Sequence, residues 1–216
     1  MGGRLVSLVN RLRRFLSNER VAVWQWYQPL AAQLLASSAH HPLWLVIDST
    51  KVGANHRVLM VGVAYRRRTL PLVWSVHRGR RGQTGHQAQM ALLERLAPLI
   101  APETEVWLLG DTEFESVHLL QWLRARHWHF SIRQRGSIKV SLDGGPWTNI
   151  KTFPLSEGET HVVGWVRLTE KFKVSRFCLV LHWAKGEDDP WYLVSDCDDT
   201  PFLLRRYRLR LLHLSR

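Results

Sequence analysis

Apolar positions along this chain change their period twice. Residues 4 to 16 carry Leu5, Leu8, Val9, Leu12 and Leu16 at helical spacing with Arg4, Arg11, Arg13 and Arg14 between them, which predicts a basic amphipathic helix. A second helix is predicted from about Ala22 to Ala36, kinked or restarted at Pro29. After His40, His41 and Pro42 the pattern turns to strands. LWLVID (43 to 48) is a continuous apolar run closed by a carboxylate, the signature of a strand buried on both faces. RVLMVGVAYR (57 to 66) and TLPLVWSVH (69 to 77) follow across a short basic turn, so three consecutive strands form a meander.

The loop RGRRGQTG leads to HQAQMALLERLAPLI (86 to 100), apolar again at helical spacing. VWLLGD (106 to 111) repeats the first strand's design, SVHLLQWLRARH (116 to 127) is a further helix, and HFSIRQR (129 to 135) a fifth strand. From Gly136 to about Thr200 the texture shifts to Gly, Pro, Trp and alternating β-formers, with turn signals at 143 to 146 and 185 to 190; helical periodicity returns from Phe202. The expected organisation is a helical lead-in (1 to 42), an α/β core (43 to 135), a β-rich insertion (136 to 200) and the start of a further core helix (201 to 216).

Charge narrows the class of partner. The 216 residues carry a formal net charge of +12, mostly from arginine, whose planar fork suits phosphate; nucleic acid is the first candidate partner. Two cysteines, Cys178 and Cys197, are too few for a disulfide framework or a thiolate zinc site, which fits a reducing cytoplasm. The N-terminal stretch has arginines inside its apolar run, unlike a secretory signal, and the later apolar stretch is too short to span a bilayer; no membrane role is expected.

The two strands that end in aspartate hold the candidate chemistry. If they are parallel neighbours, their backbones lie about 4.8 Å apart and Asp48 and Asp111 project side by side. Two carboxylates that close repel, and one stays protonated unless a cation sits between them. Hard oxygen ligands at one sheet edge suit Mg²⁺ or Mn²⁺, and two such ions about 3.5–4 Å apart are a device for in-line attack on phosphodiesters. Taken singly, each aspartate also fits a structural role: Asp48-Ser49-Thr50 as a strand-to-turn transition, and Asp111 ahead of a Thr112 to Glu115 stretch that resembles a capping box. Glu113 and Glu115 read best as solvated turn or cap residues.

LWLVIDSTKV and WLLGDTEFES, with TLPLVWSVH between them and IRQRG (132 to 136) after, resemble the DDE transposases of bacterial insertion sequences, most closely the insertion-sequence-four group. The resemblance runs over nearly the whole chain, and Asp-x-x-Phe after the second acidic strand is fairly specific. It implies a ribonuclease H-like mixed sheet flanked by helices and interrupted by a β-rich insertion subdomain. It further implies catalytic, metal-binding Asp48 and Asp111 with Mg²⁺ or Mn²⁺, and double-stranded DNA as partner, both terminal inverted repeats and target, bound by a possible homodimer in the bacterial nucleoid.

That family carries a helix signature after the insertion: Tyr, two residues, Arg, three residues, Glu, six residues, Lys. Tyr207 and Arg210 occupy the first two positions, and by resemblance they grip a phosphate near the element's end. The glutamate position falls on Leu214 and the lysine position beyond Arg216, so the expectation is a chain truncated within this helix, lacking the third acidic ligand and weak or inactive in cleavage. Arg133 and Arg135, at a strand end near the acidic pair, are candidate DNA-backbone contacts. The alternative is a non-catalytic DNA-binding remnant or regulator of transposition; a different nuclease of the ribonuclease H-like group is a third reading.

Overall fold

The computed structural model describes residues 2–16, 18, 20, 22–37, 42–66, 68–79 and 84–212. Among the described residues, helices α1 (Gly2–Leu16) and α2 (Val23–Ala36) precede a sheet of ten strands. The first five are β1 (Leu43–Val52), β2 (His56–Tyr65), β3 (Arg68–Arg78), β4 (Val106–Gly110) and β5 (His129–Arg133), with α3 (His86–Leu96) between β3 and β4 and α4 (Val117–Ala125) between β4 and β5. Then come β6 (Lys139–Leu142), β7 (Thr148–Asn149), β8 (Thr160–Leu168), β9 (Val174–His182), β10 (Trp191–Ser195) and the last helix, α5 (Thr200–Leu212). The fold is the expected mixed α/β sheet flanked by helices, and the order of three strands, helix, strand, helix, strand in residues 43 to 135 is as the periodicity predicts. Pro29 sits inside α2 without ending it. Among the described residues no helix is long and apolar enough to cross a membrane.

Strand order is β3-β2-β1-β4-β5-β10-β9-β8-β6-β7. The meander β1 to β3 is antiparallel, and β1, β4 and β5 run parallel at the centre. That interior position explains the unbroken apolar runs of β1 and β4, since neither has a solvent face. Residues 136 to 200, expected as an insertion, supply β6 to β10, and they extend the core sheet: β10 pairs antiparallel with β5 through Leu193↔Arg133 and Ser195↔Ser131. The Ser195 hydroxyl, fully buried, donates to the Phe130 carbonyl at 2.6 Å across that junction.

The two faces of the sheet carry separate cores. Leu43, Leu45 and Ile47 of β1, with Leu108, Phe130 and Ile132, pack on the side of α2, α3 and α4; Ala31 and Leu35 of α2, Leu92 and Leu93 of α3 and Leu119 and Leu123 of α4 are buried there. Alternation sends Trp44, Val46, Trp107 and Leu109 to the opposite face, where they meet Leu203 of α5. Trp44 and Trp107 stack at 5.3 Å between ring centres, and Phe202 packs against both at 5.5 and 5.0 Å. Asp199 starts α5: its Oδ1 accepts from the Phe202 N–H at 3.0 Å, satisfying a donor of the first turn.

Phe130 on β5 and Phe177 on β9 lie 5.9 Å apart, joining the two halves of the sheet within one core. Replacing Phe177 by Ala is expected to cost about 3–5 kcal/mol. In thermal or urea unfolding the variant should still melt in one transition, displaced as a whole; two separate transitions would show that residues 136 to 200 form a unit of their own.

Candidate active site at the ends of two parallel strands

Register brings the aspartates together. β1 pairs with β4 through Leu43↔Val106, Trp44↔Trp107, Leu45↔Leu108 and Val46↔Leu109, and continuing that register by two residues sets Asp48 level with Asp111. Because side chains alternate along a strand, Trp44, Val46 and Asp48 face one side, as do Trp107, Leu109 and Asp111. That side is the one covered by α5. On α5, Leu203, Tyr207 and Arg210 are four and three residues apart, one stripe of the helix, and all three are buried against the sheet.

Arg210 closes the arrangement. A single nitrogen, Nη2, donates to Asp111 Oδ2 at 2.8 Å and lies 3.5 Å from Asp48 Oδ1. One atom within reach of both carboxylates means that the two acids face a common point. Asp111 divides its oxygens: Oδ2 takes the guanidinium while Oδ1 accepts from the Glu113 N–H at 2.9 Å, capping a single 3-10 turn over Thr112–Phe114. The structural role of Asp111 therefore coexists with its place in the pair, and the cap comes from Asp111 itself rather than from Thr112. Gly110 permits the tight return of that turn, since a Cβ there would lie 3.1 Å from Ile47 Cγ2 and 3.1 Å from Phe114 Cβ.

Burial pushes the Asp48 carboxyl above the ordinary carboxylate range, and the charge of Asp111 adds to this; Arg210 and the Ser49 N–H pull the other way without cancelling it. Glu115 is also raised, chiefly by burial, against hydrogen bonding and charge from Arg135 and with a further push from Asp111. Glu113 and Glu115 are therefore not solvated turn residues. Glu113 Oε1 lies 3.4 Å from Arg57 Nη1, with both side chains buried, and Glu115 pairs with Arg135 at 3.1 Å.

The remaining candidates take different positions. Tyr207 is fully buried, its ring 5.3 Å from Trp191, and burial raises its pKa. Arg133 donates from Nη2 to the Pro190 carbonyl at 2.9 Å. Arg135, more than half exposed, is the candidate whose guanidinium meets solvent most freely. Residues 80 to 83 of the arginine-glycine loop, and Leu214 at the signature's glutamate position, lie outside the described residues. The buried pair Arg57–Glu113 was not foreseeable from local pattern, because Arg57 opens a strand and reads as an ordinary exposed edge residue.

Two hard carboxylates already drawn around a positive group fit a divalent cation in donor chemistry. Among the described residues no set of three or more His, Cys, Asp or Glu side chains is grouped so as to hold a metal ion.

The chain matches the family described as Transposase DDE domain over residues 37–184. No protein of curated function matches it. Solved structures similar to it include a piggyBac transposase, determined by cryo-electron microscopy as a synaptic complex with hairpin DNA, with 14% identity and a TM-score of 0.48 over 79% of this chain and 38% of that one. The chain thus spans well under half the length of that protein.

Because its folded carboxyl holds a proton more readily than the unfolded one, Asp48 contributes stability at low pH that is lost as pH rises through the folded pKa. Asp48→Asn, which mimics the protonated form, should match the parent protein near pH 4 and become the more stable of the two by pH 7, measured by urea unfolding in EDTA. A variant that loses ground against the parent as pH rises would contradict this electrostatic account.

Proposed function

This chain belongs to the Transposase DDE domain family, and from that premise we propose that it is a transposase catalytic domain handling DNA cleavage and strand transfer at the ends of an insertion element. The observation that carries the reading is the meeting of Asp48 and Asp111 around a cationic group just past the last paired residues of parallel β1 and β4. When bound, Mg²⁺ or Mn²⁺ would supply Lewis acidity to the phosphoryl oxygen and a more acidic attacking water. The protein's part is to hold the two carboxylates at fixed spacing on β1 and after β4, where the sheet prevents them from separating.

DNA handling falls to the arginines. Arg135, two residues past the end of β5 and more than half exposed although paired with Glu115, is our candidate for a backbone phosphate, with Arg133 as a second, and the overall charge of +12 attracts the duplex at long range. The family resemblance assigns Tyr207 and Arg210 to phosphate contact as well. In this conformation Tyr207 belongs to the core and Arg210 to the carboxylates, so of the two only Arg210, by leaving the carboxylates, could reach a phosphate while α5 stays docked.

A second reading, DNA binding without catalysis, is favoured by one specific feature. Leucine stands at position 214, where the signature has glutamate, and the described residues group no third ligand with the pair. We therefore hold that cleavage by the chain with Leu214 is weak.

Fluorescence anisotropy with a duplex and nicking of supercoiled plasmid in Mn²⁺ test both parts. Affinity should fall at least tenfold between about 50 and 200 mM salt, as expected for several phosphate contacts. Arg135→Ala should weaken binding with a shallower salt slope, and nicking should stay near background. Salt-independent binding would contradict the DNA-handling role; vigorous nicking that survives Asp111→Asn would contradict the role of the acidic pair.

A further inference from the structure

Arg210 occupies the place where a shared cation would lie. Its side chain is 6% exposed, its Nη2 is 2.8 Å from Asp111 and 3.5 Å from Asp48, and α5 is pinned above the pair by fully buried Leu203 and Tyr207. Metal–oxygen bonds to Mg²⁺ run about 2.0–2.1 Å, so a metal drawn between the same two oxygens would leave no room for the guanidinium nitrogen. The two cations exclude each other.

The guanidinium is also incompletely satisfied where it sits. Its Nε is buried and makes no hydrogen bond, and the bond to Asp48 is at the long limit. Around it stand Asp48 with the Ser49 N–H bound to it, Asp111, and Glu115 at the edge of Asp111's field; the phenol of Tyr207 lies close by on the same helix. The guanidinium thus has one short bond to Asp111, one long bond to Asp48, a buried Nε without a partner and the Tyr207 phenol nearby, a set that neutralises the pair without filling its donors.

We propose that Arg210 is an internal counter-cation that closes the carboxylate pair, and that a divalent metal loads only by displacing it. The proposal rests on the reading of Asp48 and Asp111 as metal ligands. It makes metal affinity a competition: part of the binding energy of the ion is spent on breaking the Arg210 contacts, so the metal-free protein is guarded against premature loading. Displacement also frees a guanidinium next to the site at the moment the metal arrives.

The test is a Mn²⁺ titration of the full chain, followed by the electron paramagnetic resonance signal of the free ion, for the parent protein, Arg210→Gln and Arg210→Lys. Loss of a charge-assisted contact of this type should make Arg210→Gln bind about tenfold tighter or more, with Arg210→Lys between the two. Equal or weaker binding by Arg210→Gln overturns the gate while leaving the metal site standing. Absence of Mn²⁺ binding in all three proteins overturns the metal reading and the gate with it. Should Arg210→Gln not fold, the parent protein still decides the matter. Phenylglyoxal modification of Arg210, mapped by mass spectrometry, should be slow in EDTA and accelerate as Mn²⁺ is added; a rate that is unchanged or slower with Mn²⁺ overturns the proposal.

Discussion

Parallel pairing of β1 with β4 in one register is the constraint on which the site depends. It sets residue 48, midway along β1, level with residue 111, just past β4, and the two-residue period of a strand then sends Asp48 and Asp111 to the same face. Neither acid can retreat: Asp48 is paired to Met60 of β2 two residues past the last β1–β4 partner, and Asp111 is held by its cap to the Glu113 N–H. Like charges fixed so close demand a positive partner, and the fold supplies one from Arg210, which lies far along the chain but directly overhead in space.

The aromatic packing beneath α5 serves the same end. Phe202 against Trp44 and Trp107, Tyr207 against Trp191, and Arg206 4.5 Å above the Trp44 ring fix the helix on the sheet, each aromatic pair adding about 1 kcal/mol beyond simple burial. Helix and strand ends are thereby one assembly. Whatever displaces Arg210 acts on a side chain whose backbone is well anchored at Leu203 and Tyr207, seven and three residues before it.

Much of this was legible in the residues. An apolar run followed by aspartate, used twice, announces the buried parallel strands and their acids, although β1 runs on past Asp48 to Val52 beside β2, a continuation the expected boundary at residue 48 missed. What Arg210 touches was not legible. An arginine on a basic amphipathic helix reads as solvated or phosphate-facing, and only the docking of α5 on the face of Trp44, Val46 and Asp48 turns it inward. The same holds for Arg57, buried against Glu113 across 56 residues of chain. Composition marks a β-rich stretch after Gly136, but not that β10 pairs with β5; that pairing is set by long-range registry, which glycine, proline and tryptophan content cannot reveal.

The central claim is that Asp48 and Asp111 share one cation just past the β1–β4 pairing, and iron-mediated backbone cutting tests it most directly. With Fe²⁺ bound in place of Mg²⁺, ascorbate and peroxide generate hydroxyl radicals that cut the chain within a short radius of the ion. The account predicts two clusters of cuts, around residues 48 and 111, lost together in either Asp48→Asn or Asp111→Asn and suppressed by excess Mg²⁺. Cuts at one strand end alone, or cuts elsewhere that survive both substitutions, would contradict it.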